Sequence, residues 1–188
     1  MNIRTFLGLT VAGTLCLSCQ SNAYQIDGFA RDFSDSDTIC MRQESDGNSP
    51  VVMTQVIDGK FAFSGETDTV AFCQIFPKNR PEVTVSFFLE PARITVELAS
   101  APERNRVSGT TLNNTWQQLN DSIRLLGQEV VKTSLLPIAD STAQWQRVRM
   151  IDSLHRRMSD CILNTARQNS DNPVGRFINQ HYKAPEFK

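Results

Sequence analysis

Val51-Val52-Met53-Thr54-Gln55-Val56-Ile57-Asp58-Gly59-Lys60-Phe61-Ala62-Phe63-Ser64-Gly65 is the stretch whose reading decides the fold. Asp58-Gly59 supplies φ > 0 at both central positions of a type I′ turn, the tight connection whose twist suits paired strands. Side chains alternate on either side of it, so Phe61 and Phe63 share a face with Val56 while Lys60 and Ala62 take the other. The spacing predicts a hairpin of 51–57 with 60–65, Val56 opposite Phe61 and Thr54 opposite Phe63. One face is core and the other is wet.

Outward from this hairpin, the chain from Tyr24 to Ser108 is a succession of short apolar or alternating runs broken by Gly, Pro, Asp, Asn and Ser. Strands are expected near 24–31, 38–44, 51–57, 60–65, 69–76, 82–89, 93–98 and 104–108, the pattern of an antiparallel β domain. Val83–Leu89 and Arg93–Leu98 read as a second hairpin through Glu90-Pro91-Ala92-Arg93, with Pro91 at the first central turn position. Ala92 disfavours φ > 0, so a type I turn is expected there.

After Gly109 the apolar period changes from two to about 3.6. Leu112, Trp116, Leu119, Ile123, Leu126 and Val130 mark an amphipathic helix over 111–132. Ser141-Thr142-Ala143-Gln144 is a capping-box pattern that starts a second helix, running to Gln168 with Trp145, Val148, Ile151, Leu154, Met158, Cys161 and Ile162 on its stripe. The short connection containing Pro137 favours an antiparallel pair, and both Trp116 and Trp145 are expected to be largely buried, against each other's helix or against the sheet. Asn172 as cap and Pro173 in the first turn signal a short third helix.

Composition narrows the class. The chain has 188 residues, 40% apolar and 21% charged, with 19 Lys plus Arg against 20 Asp plus Glu, so it lacks the basic field that holds a nucleic-acid backbone. Residues 1–18 read as an export signal, with Arg4 ahead of an apolar stretch from Phe6 to Leu17. Ser21-Asn22-Ala23 suits an ordinary signal peptidase, whereas Leu17-Ser18-Cys19 resembles a lipobox, with Cys16 where such a box usually carries Leu. The lipoprotein reading is preferred, making Cys19 the lipidated first residue of the mature chain.

The residues that could carry chemistry are few. Cys40, Cys73 and Cys161 contain no C-x-x-C; a Cys40–Cys73 disulfide and two small buried thiols both fit, the second being the plainer reading. His155 and His181 lack metal-ligand spacing, and Asp32, Asp35 and Asp37 read as turn material rather than a calcium loop. Arg147, Arg149, Arg156 and Arg157 form a basic face on the second helix, with Asp152 and Arg156 as an i,i+4 pair. No nucleophile elbow or Gly-rich phosphate loop is present.

Four segments together resemble a known family: Ile26-Asp27-Gly28; Val56-Ile57-Asp58-Gly59-Lys60-Phe61-Ala62-Phe63-Ser64-Gly65; Phe87-Phe88-Leu89-Glu90-Pro91; and Val107-Ser108-Gly109-Thr110. They are similar to the β-rich domain of unknown function numbered 4369, and the likeness covers residues 24–115. The resemblance implies an N-terminal domain of envelope lipoproteins in Gram-negative anaerobes, commonly followed by a helical segment and a thioredoxin-like domain of the thiol:disulfide interchange type. Asn172-Pro173-Val174-Gly175 looks like the end of the helical linker, and no thioredoxin-like domain follows in this sequence, so redox activity is not carried over. Ala92 stands where relatives tend to have Gly.

The fold expected is α+β, an antiparallel β-sandwich-like domain followed by a C-terminal helical hairpin and a short third helix. The division expected is 1–18 signal peptide, 19–23 tether, 24–109 β domain, 110–183 helical segment and 184–188 loose tail. The function expected is a lipid-anchored cell-envelope protein facing the periplasm, a non-enzymatic binding or scaffolding module with the membrane and an envelope protein as partners. The alternative is an accessory partner of a separate thioredoxin-like oxidoreductase. A thiol enzyme using Cys40, Cys73 or Cys161 is the weaker third class. No cofactor and no nucleic acid is expected.

Overall fold

A computed structural model describes residues 22–44 and 50–182. Eight strands form two four-stranded sheets, and three helices follow. The strands are β1 Ala23–Phe29, β2 Thr38–Gln43, β3 Val52–Gln55, β4 Lys60–Glu66, β5 Ala71–Pro77, β6 Val85–Leu89, β7 Arg93–Glu97 and β8 Arg106–Ser108. One sheet has the order β4-β1-β7-β8, the other β3-β2-β5-β6. All pairings are antiparallel except β1 with β7.

The Asp58-Gly59 turn forms as its residues require, with φ of 51° and 68°, and Ile57 and Lys60 exchange N–H···O bonds of 2.8 and 3.0 Å. The hairpin ends there. β3 joins β2 in one sheet and β4 joins β1 in the other, so neither Val56–Phe61 nor Thr54–Phe63 is a cross-strand pair. Phe63 lies opposite Ile26, Phe61 opposite Gly28 and Thr54 opposite Ile39. The physical reason is that the Val56 backbone is engaged elsewhere: its N–H donates to Asp37 O and its carbonyl accepts from Ser36 N–H, both at 2.9 Å. The alternation of faces nevertheless holds, since Val56, Phe61 and Phe63 are all buried between the sheets while Lys60 and Ala62 are exposed.

The second expected hairpin is also a crossing between sheets. β6 pairs with β5, β7 with β1 and β8. Ala92 keeps a negative φ, but its N–H donates to Glu90 O at 2.7 Å, a three-residue turn around Pro91 rather than the four-residue type I turn.

Ile26, Ile39, Ile75, Phe87, Ile94 and Val96, each 0% exposed, fill the space between the sheets. Gly28 is part of that packing: a Cβ there would lie 2.2 Å from Cε2 of Phe61. Gly28→Ala is expected to destabilise by about 1 to 3 kcal/mol through overpacking. Adding Phe61→Leu should recover part of that loss, as thermal melts of the single and double variants will show.

The helices are α1 Thr111–Ser134, α2 Ser141–Gln168 and α3 Pro173–His181. Thr110 caps α1, accepting from Asn113 N, and Asn172 caps α3 as the sequence indicates. For α2 the cap is Asp140, whose carboxylate accepts from Ala143 N–H at 2.8 Å, so Ser141 is the first helical residue rather than the cap. A carboxylate at that position also meets the positive end of the helix dipole.

The base of the helical segment is a third layer on the outer face of the β3-β2-β5-β6 sheet. Phe72 and Phe88 of the sheet meet Trp116 of α1 and Phe177 of α3 in edge-to-face and tilted contacts, with ring centroids 3.9 to 5.9 Å apart. α1 also covers one open side of the sandwich. Asn113, Trp116 and Gln117 fall on one helical face at i, i+3 and i+4. Asn113 accepts from Phe88 N–H and donates to Phe88 O, each at 2.8 Å, and Trp116 Nε1 donates to Ser86 O at 3.0 Å. Gln117 accepts from Val107 N–H at 2.9 Å. Edge strands β6 and β8, one from each sheet, thereby have edge groups satisfied by a single helix.

Candidate functional site

The cysteines do not make a site. Cys40 pairs with Phe76 and Cys73 with Gln43 across β2 and β5, an odd offset that puts the two thiols on opposite faces of their sheet. A disulfide between them is excluded by that geometry, and both are free and buried. Burial pushes the Cys73 thiol up from 9.0 to about 12, and Cys40 is raised by the same cause against the opposing field of Lys78. Neither is a thiolate near neutral pH. Cys161 is half-buried against the α1–α3 cluster.

A pH dependence follows from Cys73. Its folded pKa lies above its unfolded one, so the neutral thiol's contribution is fully present below pH 9.0 and is lost as pH rises toward about 12. Cys73→Ala is expected to flatten that alkaline loss in urea titrations from about pH 8, below the unfolded value, to about pH 11, part of the way to the folded one.

Of the acidic residues between β1 and β2, Asp35 is exposed while Asp32 and Asp37 are structural. Asp32 accepts from Ser100 N–H at 3.0 Å, from Ser100 Oγ at 2.9 Å and from Arg104, while Asp37 accepts from Ser34 N–H at 2.9 Å. These bonds, with that to Ser100 foremost, hold the Asp32 carboxyl below its ordinary value. Among the described residues no three His, Cys, Asp or Glu side chains gather as metal ligands. His181 stacks on Phe177, its Nδ1 2.9 Å from Phe177 O, and His155 is exposed. An open hollow of about 690 Å³ on the β4-β1-β7 side is lined by Asp27, Lys60, Arg93 and Thr95, where Asp27 is already paired with Arg93 and Gln25.

What remains is the far end of the helical hairpin. The stripe of α1 from Leu112 to Leu126 and the second half of α2 are covered, with Leu119, Leu126 and Ala166 buried. Beyond them on α1 only Thr133 is buried. Tyr182, just after α3, reaches Ser159 Oγ at 3.0 Å, and toward the connection Val131 of α1 and Trp145 of α2 are exposed. Trp116 is half-buried against the sheet and α3, short of the large burial expected, and Trp145 is 64% exposed, contrary to that expectation. Leu135 is 77% exposed, with Leu136, Ile138 and Val148 also open to solvent. The reason is length: α2 has 28 residues and α3 only 9, so the third helix covers the base of the pair and not its end.

Of the basic face, Arg147 is not free. Its Nη1 donates to Ser134 O and Leu136 O, both at 3.1 Å, and thereby holds the connection between the helices. Arg149, Arg156 and Arg157 are exposed, and Asp152 does not come within ion-pair distance of Arg156, both side chains being solvated. Sequence periodicity missed the exposed end, since Leu135, Leu136 and Ile138 read as connection. It also missed Asn113, whose signal was a polar residue three positions before Trp116.

The fold and site thus define a β-sandwich-like protein with an appended helical hairpin whose end is apolar and uncovered. Residues 24–116 match the family model described as domain of unknown function (DUF4369), and the β domain of this chain belongs to that family. No curated protein matches the chain. Among the described residues no helix is long and apolar enough to cross a membrane. The segments that carry the likeness have structural roles: Gly28 admits the Phe61 ring, Asp58-Gly59 makes the turn, and Thr110 caps α1. Phe87 and Phe88 point to the two sides of their sheet, one into the sandwich and one under the helices.

Proposed function

We propose that the protein is a lipid-anchored module of the cell envelope, facing the periplasm, that binds rather than transforms. Its β sandwich serves as the rigid base for the helical hairpin, and the end of that hairpin is the contact element. The observation that carries this reading is the exposure of Trp145 and Leu135 on helices whose other ends are packed. Two buried thiols and an Asp32 engaged in the fold's own hydrogen bonds support the absence of a catalytic step. Cys19 lies outside the described residues; the export signal over 1–18 and the Leu17-Ser18-Cys19 segment support its lipidation.

Mass spectrometry of the protein isolated from its own cells is expected to find an acylated N-terminal Cys19; an unmodified chain beginning at Tyr24 would overturn the anchor. A photo-crosslinking side chain placed at position 145 is expected to capture a specific envelope component in intact cells, and the same probe at Lys60 should not. Equal capture from both positions, or none from either, counts against the binding reading. A second reading, an accessory of a separate thioredoxin-like oxidoreductase, is favoured by the same exposure of Trp145 together with the helical segment's place in the family resemblance. Capture of a protein carrying C-x-x-C would decide for it.

A further inference from the structure

We propose that the end of the helical hairpin seats in the interfacial layer of a lipid bilayer, which deepens the binding reading above by naming the surface bound. The stretch 133–139, the last two residues of α1 and the connection as far as Asp140, carries no charged residue, and its Leu135, Leu136 and Ile138 are 77%, 47% and 46% exposed. Exposed apolar residues are not confined to one side. At about 100° per residue, Trp145, Val148 and Met150 of α2 point in directions spread over about 200° of the helix circumference. All three are exposed, as is Val131 on α1. A protein groove or a second copy of the chain covers one face of a helix pair; a lipid phase surrounds its end.

The backbone of the connection is satisfied internally only in its first half, and the N–H groups of Ile138 and Ala139 and the carbonyls of Leu135, Pro137, Ile138 and Ala139 are left to the water and headgroups of an interfacial layer. A polar main-chain group carried into the acyl boundary needs an internal partner. Leu135 N–H and Leu136 N–H donate within the last turn, Pro137 has no N–H, and the carbonyls of Ser134 and Leu136 accept from Arg147. Trp145 stands one turn into α2, where an indole meets the headgroup level. The flanking charges favour phosphate headgroups: Lys132 is paired with Glu129 and Asp140 with the N-terminus of α2, while Arg149 has no carboxylate within ion-pair distance among the described residues. The uncharged stretch 133–139 is only seven residues long, which fits an interfacial wedge and not a span.

The test uses the full protein purified from its own cells, mixed with vesicles of phosphatidylethanolamine and phosphatidylglycerol whose acyl chains are plain or brominated. Subtracting the emission of Trp145→Phe isolates the Trp145 signal from that of Trp116. The Trp145 emission is expected to shift to the blue and to fall by about half in brominated vesicles, as for an interfacial indole. The pair Leu135→Asp with Leu136→Asp should abolish the fall while leaving the far-ultraviolet circular dichroism unchanged. An unquenched Trp145 overturns the inference. If crosslinking from position 145 then still captures an envelope protein, or sedimentation shows a dimer, the binding reading stands without the lipid; if neither occurs, both fall.

Discussion

Replacing Asn113 with leucine is expected to destabilise the protein by about 3 to 5 kcal/mol, because two buried backbone groups lose their partners at once. Asn113 is 0% exposed and bonds both the N–H and the carbonyl of Phe88, a residue only 2% exposed itself. β6 is an edge strand, and these Phe88 groups face away from β5, so no neighbouring strand can replace the amide. A buried donor or acceptor left unpaired costs about 1 to 3 kcal/mol each, and a leucine of similar size removes the bonds without leaving a large void. That total is a large share of the 5 to 15 kcal/mol roughly available to a domain. Asn113→Asp tests the mechanism separately. Its carboxylate accepts from Phe88 N–H but faces the Phe88 carbonyl, which only a protonated carboxyl can satisfy. The folded pKa of that new group would lie above the unfolded value, so the variant's deficit should grow as pH rises from about 4 toward 7. Urea unfolding of both variants across that range checks both claims.

Truncation of Phe63 to alanine is expected to cost about 3 to 5 kcal/mol, and Phe61→Ala a similar amount. The two rings are 5% and 4% exposed and touch edge to face, with centroids 6.0 Å apart. Neighbouring truncations share one cavity, so the double variant should fall short of the sum of the single losses by about 0.5 kcal/mol or more. Losses under about 1 kcal/mol for both single variants would show that the rings do not lie between the sheets. This expectation survives the change of strand partner, because burial depends on which face each ring takes and not on which strand lies beside it.

That distinction separates what was legible in the sequence from what was not. Alternation over 60–65 placed Phe61 and Phe63 inside, and the 3.6 period located α1 and α2 to within two residues at their ends. Both are local consequences of backbone geometry. Strand partners are not local: each strand has two edges, and an inward face looks the same whether the neighbour continues the hairpin or lies across the core. The turns at Asp58-Gly59 and Pro91 thus appeared to close hairpins when they pass the chain from one sheet to the other. For the same reason the period of α1 gave no role to Asn113, although its amide takes the place of a missing strand.

By itself, then, the sequence determined the faces of the strands, the type I′ turn, the helices and the likeness over the β domain. Tertiary structure alone decided the sandwich crossing, the separation of Cys40 from Cys73 and the exposure of the hairpin end. Trp116 and Trp145 lie on comparable apolar stripes, and only the position of other elements distinguishes them. Trp116 has the sheet and α3 against it, whereas Trp145 lies beyond the reach of a third helix that is 9 residues long. Burial is a property of what stands opposite a residue, and a stripe records only the side on which something could stand.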